Sequence, residues 1–362
     1  MTQLAAKTLK WTPPEILLAI LFLLAPLYYH PNLGGEGLRI PHNITIWLVA
    51  TLFIAYSCHK ILKARQYVIP KYFWLIAAFP VLATLSGFIA GVEQPLKWLF
   101  RLLFIWGGLA FLFALFQAWL SQARIDRLLY LVVLSALTFA IVGIMQIWLK
   151  LDMPYLLPKN PDGIPSSFFQ QINNQATYQV TAIFIAIYLS MRPWLRSGHF
   201  IKRITLLVAV LLAAYIVAIS GSRIGALTLI ISMLVVLPVI WRNWRRHRLV
   251  LGVLAAVVIG VFAGNLTGSD KLVDKTIAMQ SGYSADARLS IYSISLGLIA
   301  KSPIVGHGIG SFLPKWQFAK PDFYTDHPGA KLPKELLSHP HNELMLWLVE
   351  GGVFAFIGMV LV

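Results

Sequence analysis

The chain has 362 residues, of which 58% are hydrophobic and only 12% charged. Ordinary soluble domains carry about 25% charged residues, so this composition excludes a water-soluble chain and points to a polytopic membrane protein. Thirty Lys and Arg against 14 Asp and Glu leave a net charge of +16, which raises nucleic acid as a partner until the charges are placed along the chain.

Apolar runs of bilayer-spanning length predict ten transmembrane helices, at roughly 14–29, 44–59, 72–92, 99–120, 128–149, 178–191, 204–219, 224–241, 249–264 and 343–362. The first follows Lys7 and Lys10 as a signal peptide would, but no small-x-small cleavage site follows Pro26, Tyr28 and Tyr29, so a retained helix is expected. Every second connection, at 1–13, 60–71, 121–127, 192–203 and 242–248, is basic. Together with the helix end at Glu15 they hold 16 basic and two acidic residues, Glu15 and Asp126, an excess of +14. Such bias marks the cytoplasmic side, so the N-terminus is expected inside. Nearly all of the charge is then a topology signal, and no nucleic acid is needed to explain it.

Two connections on the other side are long, about 150–177 and 265–342. The second gathers Gly, Pro, His and charged residues, which is where aqueous chemistry is expected. The expected organisation is a transmembrane region over 1–264, a large catalytic loop over 265–342, and a further helix over 343–362. No basic residue follows the last apolar run, which predicts that the chain continues past Val362. The lone Cys58 allows no intrachain disulfide.

Five segments can carry chemistry. Ser220-Gly221-Ser222-Arg223 is the whole link between two spans. An arginine at membrane depth is expensive unless paired or wetted, although snorkelling from a helix end would also account for it. Ser284-Ala285-Asp286-Ala287-Arg288 precedes Leu289, Tyr292, Leu296 and Ile299 at helical spacing. That pattern predicts an amphipathic helix on the membrane, with Asp286 as N-cap and Arg288 in the first turn. Arginine there opposes the helix dipole, unless a phosphate binds at the same end. A solvated arginine on a polar face is the plainer alternative.

Ser338-His339-Pro340-His341-Asn342-Glu343 leads into the last span. Histidine exchanges protons near neutral pH. His-x-His-x-Glu also supplies metal-ligand types, but no acidic or Cys cluster completes a shell. Gln170, Gln171, Asn173, Asn174 and Gln175 crowd the approach to the sixth span; amides suit sugar hydroxyls and equally suit helix capping. Gly306-His307-Gly308-Ile309-Gly310 is a turn whose glycines can take positive φ, and no strand precedes it as a nucleotide loop requires. Arginine forks match phosphate oxygens and a neutral imidazole takes a proton from a hydroxyl. The chemistry suggested is transfer from a phosphate-activated, membrane-held donor to a hydroxyl.

With Gly221-Ser222-Arg223, Ala287-Arg288, Gly306-His307-Gly308 before Ser311-Phe312, and His339-Pro340-His341-Asn342 running on to Glu350-Gly351-Gly352, the sequence resembles the O-antigen ligase/polymerase superfamily. Gln171-x-x-Asn174 is similar to the motif of bacterial protein O-oligosaccharyltransferases within it. The resemblance implies an all-α, polytopic transmembrane bundle of the GT-C type, in a bacterial inner membrane, with amphipathic helices in a large periplasmic loop. It implies a glycosyltransferase that needs no metal or other cofactor. The donor would be a glycan on undecaprenyl pyrophosphate, and the acceptor a periplasmic or pilin protein or the lipid A core. By position, Arg223 and Arg288 would hold the pyrophosphate, and His341, otherwise His339, would activate the acceptor. Gln171, Asn174, Asn342 and His307 would line the site. Protein O-glycosylation is the leading expectation, ahead of ligation to the lipid A core, polymerisation of repeat units, and transport of the lipid-linked glycan. Transport would favour charges near the bilayer midplane or symmetric pairs of broken spans.

Overall fold

A computed structural model describes residues 10–24, 44–153, 157, 165–169, 171–196, 200–243, 248–268, 283–330, 332 and 337–362. Thirteen helices and no strand occur among them. They fall into two compact units, unit 1 from Met1–Tyr56 and Trp119–Thr276, unit 2 from Ser57–Ala118 and Ile277–Val362. Helix α2 (Ile44–Ala64) crosses the boundary between them. Eight helices among the described residues are long and apolar enough to cross a membrane, so the chain is a multi-pass helical membrane protein.

Unit 1 contains α1 (Pro13–Leu23), α5 (Gln122–Trp148), α6 (Ile172–Ser190), α7 (Pro193–Arg196), α8 (Phe200–Ile219), α9 (Arg223–Asn243) and α10 (Arg248–Gly268). Its core interleaves Val133 of α5, Ile183 and Ile187 of α6, Leu206 and Val210 of α8, and Val250 and Val253 of α10. Gly260, Gly264 and Gly268 recur at intervals of four along α10 and meet α8. A Cβ on Gly264 would lie 2.7 Å from the Tyr215 carbonyl. Apolar lipid gives two apolar helices little reason to associate, so backbone approach at small residues supplies the attraction instead. Helix α6 takes the place of the expected sixth span but is not among the eight, because its first half carries Asn173, Asn174, Gln175 and Gln179.

Three connections assigned to one side by charge meet at one end of unit 1. Glu15 is buried and forms ion pairs with Arg124 and Arg127, and Asp126 pairs with Arg192 at 3.1 Å. Tyr130 Oη donates to the Lys202 carbonyl at 3.3 Å. The two acidic residues in the basic count are therefore the internal counterions of that basic end.

Unit 2 contains α3 (Phe73–Ala90), α4 (Pro95–Gln117), α11 (Tyr283–Lys301), α12 (Phe312–Asp326) and α13 (Glu343–Val360). Ile291, Ile294 and Leu298 of α11 pack with Phe312 and Trp316 of α12 and with Leu346 and Val349 of α13. Of the apolar residues expected on the membrane-lying face of α11, Leu289 and Leu296 are exposed, while Tyr292 and Ile299 pack partly against this core. Helix α11 is apolar on more than one side, so spacing alone did not select the packed face.

Candidate functional site

In unit 1, α8 and α9 are joined by three residues, and Gly221 takes φ 62° to turn the chain. The Ser220 hydroxyl accepts from the Ser222 N–H at 3.2 Å. Ser222 then caps α9, its Oγ accepting from the Gly225 N–H at 3.1 Å and donating to Asn173 Oδ1 at 2.7 Å. That last bond ties the start of α6 to the turn, so the Gln171-x-x-Asn174 element and the Gly-Ser-Arg element share one end of the unit.

Arg223 is exposed and is the first residue of α9. Arg223 therefore lies against the helix dipole unless a phosphate binds at the same end. Gln171 stands at the N-cap position of α6 without a side-chain cap bond, and both it and Asn174 are exposed. The neighbouring amides are used internally, Gln175 Nε2 donating to the Phe139 carbonyl and Gln179 Nε2 to that of Ala136, each at 3.1 Å. Gln170 lies outside the described residues.

In unit 2, α13 breaks at Gly352, which adopts φ 59°, ψ −161°. A broken helix in lipid must bind its freed backbone groups elsewhere, and the turn after α11 supplies the partners. The His307 N–H donates to the Val349 carbonyl at 2.8 Å and the Gly308 N–H to that of Glu350 at 3.0 Å; the Val353 N–H donates to Pro303 at 2.9 Å. Ser86 Oγ of α3 lies 2.7 Å from the Gly351 carbonyl and 2.8 Å from that of Val305. Gly306 takes φ 69°, and a Cβ there would meet the Glu350 carbonyl carbon at 2.5 Å, so the turn enters the break only with glycine.

Glu350 is completely buried beside this break. Its Oε1 accepts from the Phe312 N–H at 3.2 Å, and its Oε2 lies 3.6 Å from the Arg101 guanidinium of α4. Motif reading named Glu350 without giving it a role, and overlooked Arg101. The signal was present, because charges inside apolar runs are costly enough to need partners. His307 has its Nε2 2.8 Å from the Leu298 carbonyl, so this ring also secures the turn.

Ahead of α13, His339, Pro340 and His341 form a tight bend. His341 holds φ 57°, in the left-handed region, a conformation that costs a side-chain-bearing residue about 1–3 kcal/mol and persists where surroundings enforce it. Its backbone N–H donates to His339 Nδ1 at 2.7 Å, and His339 Nε2 is 2.8 Å from Glu343 Oε1. Asn342 caps α13, Oδ1 accepting from the Met345 N–H at 3.3 Å. Partial burial, then His339, then the Arg288 guanidinium push the His341 imidazole below its ordinary value. That imidazole is exposed enough to meet a substrate and stays neutral, hence able to accept a proton, further into acid.

Helix α11 begins at Tyr283, so Asp286 is the fourth helical residue and not the expected N-cap, and Arg288 follows the first turn. Its place near His341, not a helix terminus, gives Arg288 its electrostatic interest. His339, His341, Asn342 and Arg288 are thus gathered in unit 2, while Arg223, Gln171 and Asn174 belong to unit 1. Among the described residues, no three His, Cys, Asp or Glu side chains converge as metal ligands do.

Residues 207–360 match the family model Wzy_C, described as O-antigen ligase. The matched stretch includes Arg223, Arg288, His307, His339 and His341, and leaves Arg101, Gln171 and Asn174 outside. No curated protein and no solved structure matches the chain.

Proposed function

Residues 207–360 match the O-antigen ligase family model, and we propose that the chain belongs to that superfamily and moves a preassembled oligosaccharide from undecaprenyl pyrophosphate to a Ser or Thr hydroxyl of a periplasmic or pilin protein. The observation that carries this reading is His341, an exposed imidazole on a left-handed backbone whose pKa is lowered by partial burial, His339 and Arg288. In the proposed step His341 takes the acceptor's hydroxyl proton as the oxygen bonds to the anomeric carbon. The bond from that carbon to the pyrophosphate oxygen breaks, and the lipid pyrophosphate leaves with the electron pair. Negative charge grows on the leaving group, where a fixed cation stabilises it most. Arg288, close enough to His341 to lower its pKa, supplies such a cation beside the base. Arg223 is proposed as a second phosphate ligand, its planar fork suited to bidentate contact. Gln171 and Asn174 are proposed to meet the transferred glycan or its acceptor with neutral donors and acceptors.

The reaction is placed on the periplasmic face of a bacterial inner membrane. Support comes from the basic end of unit 1 described above and from the positive-inside rule, which assigns that end to the cytoplasm. The Gln-x-x-Asn element favours a protein acceptor. The family match favours a second reading, ligation to the lipid A core, which uses the same donor and base. One experiment separates them: purified full-length chain in detergent receives the undecaprenyl-pyrophosphate-linked glycan with either a Ser-bearing pilin or lipid A core. Glycosylated pilin alone supports the first reading, and glycosylated core alone the second. No covalent transfer to either acceptor contradicts both.

A further inference from the structure

We infer that His339 is a positioning residue whose imidazole clamps the left-handed backbone of His341 and so aims the catalytic base. The inference rests on the role proposed for His341 and adds how that role is built. A backbone N–H can only donate, so the 2.7 Å contact from His341 N requires an unprotonated Nδ1 on His339. The ring proton of the neutral imidazole is then on Nε2, where it is donated to Glu343 Oε1 at 2.8 Å. Both ring nitrogens of His339 are thereby engaged, leaving neither to receive a proton from an acceptor hydroxyl. His341 makes no such use of its ring in this tie, since it contributes only its main-chain N–H.

Local sequence explains the geometry. Pro340 has no N–H and a fixed φ, so it cannot donate a hydrogen bond to stabilise the bend. The tie must span from residue 339 to residue 341, as the side chain of Asn or Asp does in an Asx turn, with imidazole in place of the carboxamide. Glu343 then anchors the imidazole from the first residue of α13, where a carboxylate is favoured by the helix dipole. Asn342 caps the same helix. Glu343, His339 and the His341 N–H thus form one chain of hydrogen bonds from a helix terminus to the backbone of the base.

The test compares wild type, His339→Ala, His339→Asn and Glu343→Ala in the glycan-transfer assay with undecaprenyl-pyrophosphate-linked glycan as donor, His341→Ala serving as control. Asparagine retains an acceptor for the N–H two residues on but has no imidazole. His339→Ala is expected to lower kcat more than tenfold with little change in donor KM, His339→Asn to recover most of that loss, and Glu343→Ala to fall between. Wild-type turnover in His339→Ala overturns the proposal, as does a folded His339→Asn no more active than the alanine variant. Should His339→Ala fail to fold, the activity of His339→Asn alone decides. Nitrogen-15 spectra of ring-labelled histidine give a readout independent of turnover. His339 is expected as the Nε2–H tautomer, with a signal displaced in Glu343→Ala; an Nδ1–H tautomer overturns the proposal. If wild type transfers nothing, the functional reading fails, and these spectra still decide whether the clamp exists.

Discussion

Unit 1 turns its chain at Ser220–Arg223 with hydroxyl and amide caps around one positive-φ glycine, whereas unit 2 assembles its polar residues on backbone that ordinary helices avoid. Among the described residues, Gly91, Gly306, Gly308, Gly310 and Gly352 take positive φ in unit 2, with Arg65 and His341, whereas in unit 1 Gly221 is the only such glycine and Trp119, Lys150 and Ser167 lie away from its turn in the chain. In unit 1 the helices α8 and α9 are continuous on either side of the turn; in unit 2 helix α13 is broken and the turn after α11 fills the gap. Strained backbone persists only where neighbours over-determine it, and it gathers where a side chain must be held at an exact aim. The contrast teaches that the two units are built differently: exposed Arg223 and Asn174 stand on a capped turn, while in unit 2 the break in α13 is closed by mutually dependent backbone contacts and the left-handed His341 ahead of it is tied to His339.

The sharpest way to break this comparison is to put a methyl group at the knot. Gly306→Ala forces a side chain onto the backbone of Glu350 and is expected to destabilise unit 2 by about 1–3 kcal/mol or to prevent its folding. Gly297→Ala, in α11 with open space around it, should instead be neutral or stabilising by up to about 1 kcal/mol. Thermal unfolding in detergent measures both, and equal effects would remove the distinction between a strained site and an ordinary helix. In unit 1, Ser222→Ala removes the cap on α9 and the tie to Asn173, with an expected loss of about 0.5–2 kcal/mol. A larger loss than that of Gly306→Ala would reverse the ranking of the two ends.

The smallest effect is a pH shift. A base acts only while neutral, so transfer falls as pH drops through the pKa of His341. Burial, His339 whenever it carries a proton, and the Arg288 guanidinium lower that pKa, which carries the acid limb to lower pH. Arg288→Gln removes one of the three causes, so the acid limb of kcat/KM should move to higher pH. An unmoved limb, or one displaced to lower pH, would detach Arg288 from the base.

Much of this was legible in the sequence. Apolar runs found eight of the ten expected spans among the described residues, because lipid demands length and hydropathy, and the charge count found the basic end that Glu15 and Asp126 bind together. Helix ends were less legible: Asp286 looks like a cap, but α11 starts three residues earlier. The amides before the sixth span read as one cluster, yet Gln175 faces Phe139, Asn173 binds Ser222, and only Gln171 and Asn174 are exposed among the four described. A helix divides adjacent residues among different faces, and without knowing its neighbours that division cannot be assigned. The break at Gly352 and the burial of Glu350 against Phe312 and Arg101 were hidden for a similar reason. They depend on contacts among α3, α4, the turn after α11 and α13, which are far apart in the chain.

The central claim is that His341 is the base of a glycan transfer. Single-turnover transfer from undecaprenyl-pyrophosphate-linked glycan, compared between wild type and a folded His341→Ala variant, tests it most directly. A positioned general base contributes about 100-fold or more, so the variant should lose at least that much in rate while retaining donor binding. A folded His341→Ala chain that transfers glycan at the wild-type rate would contradict the account.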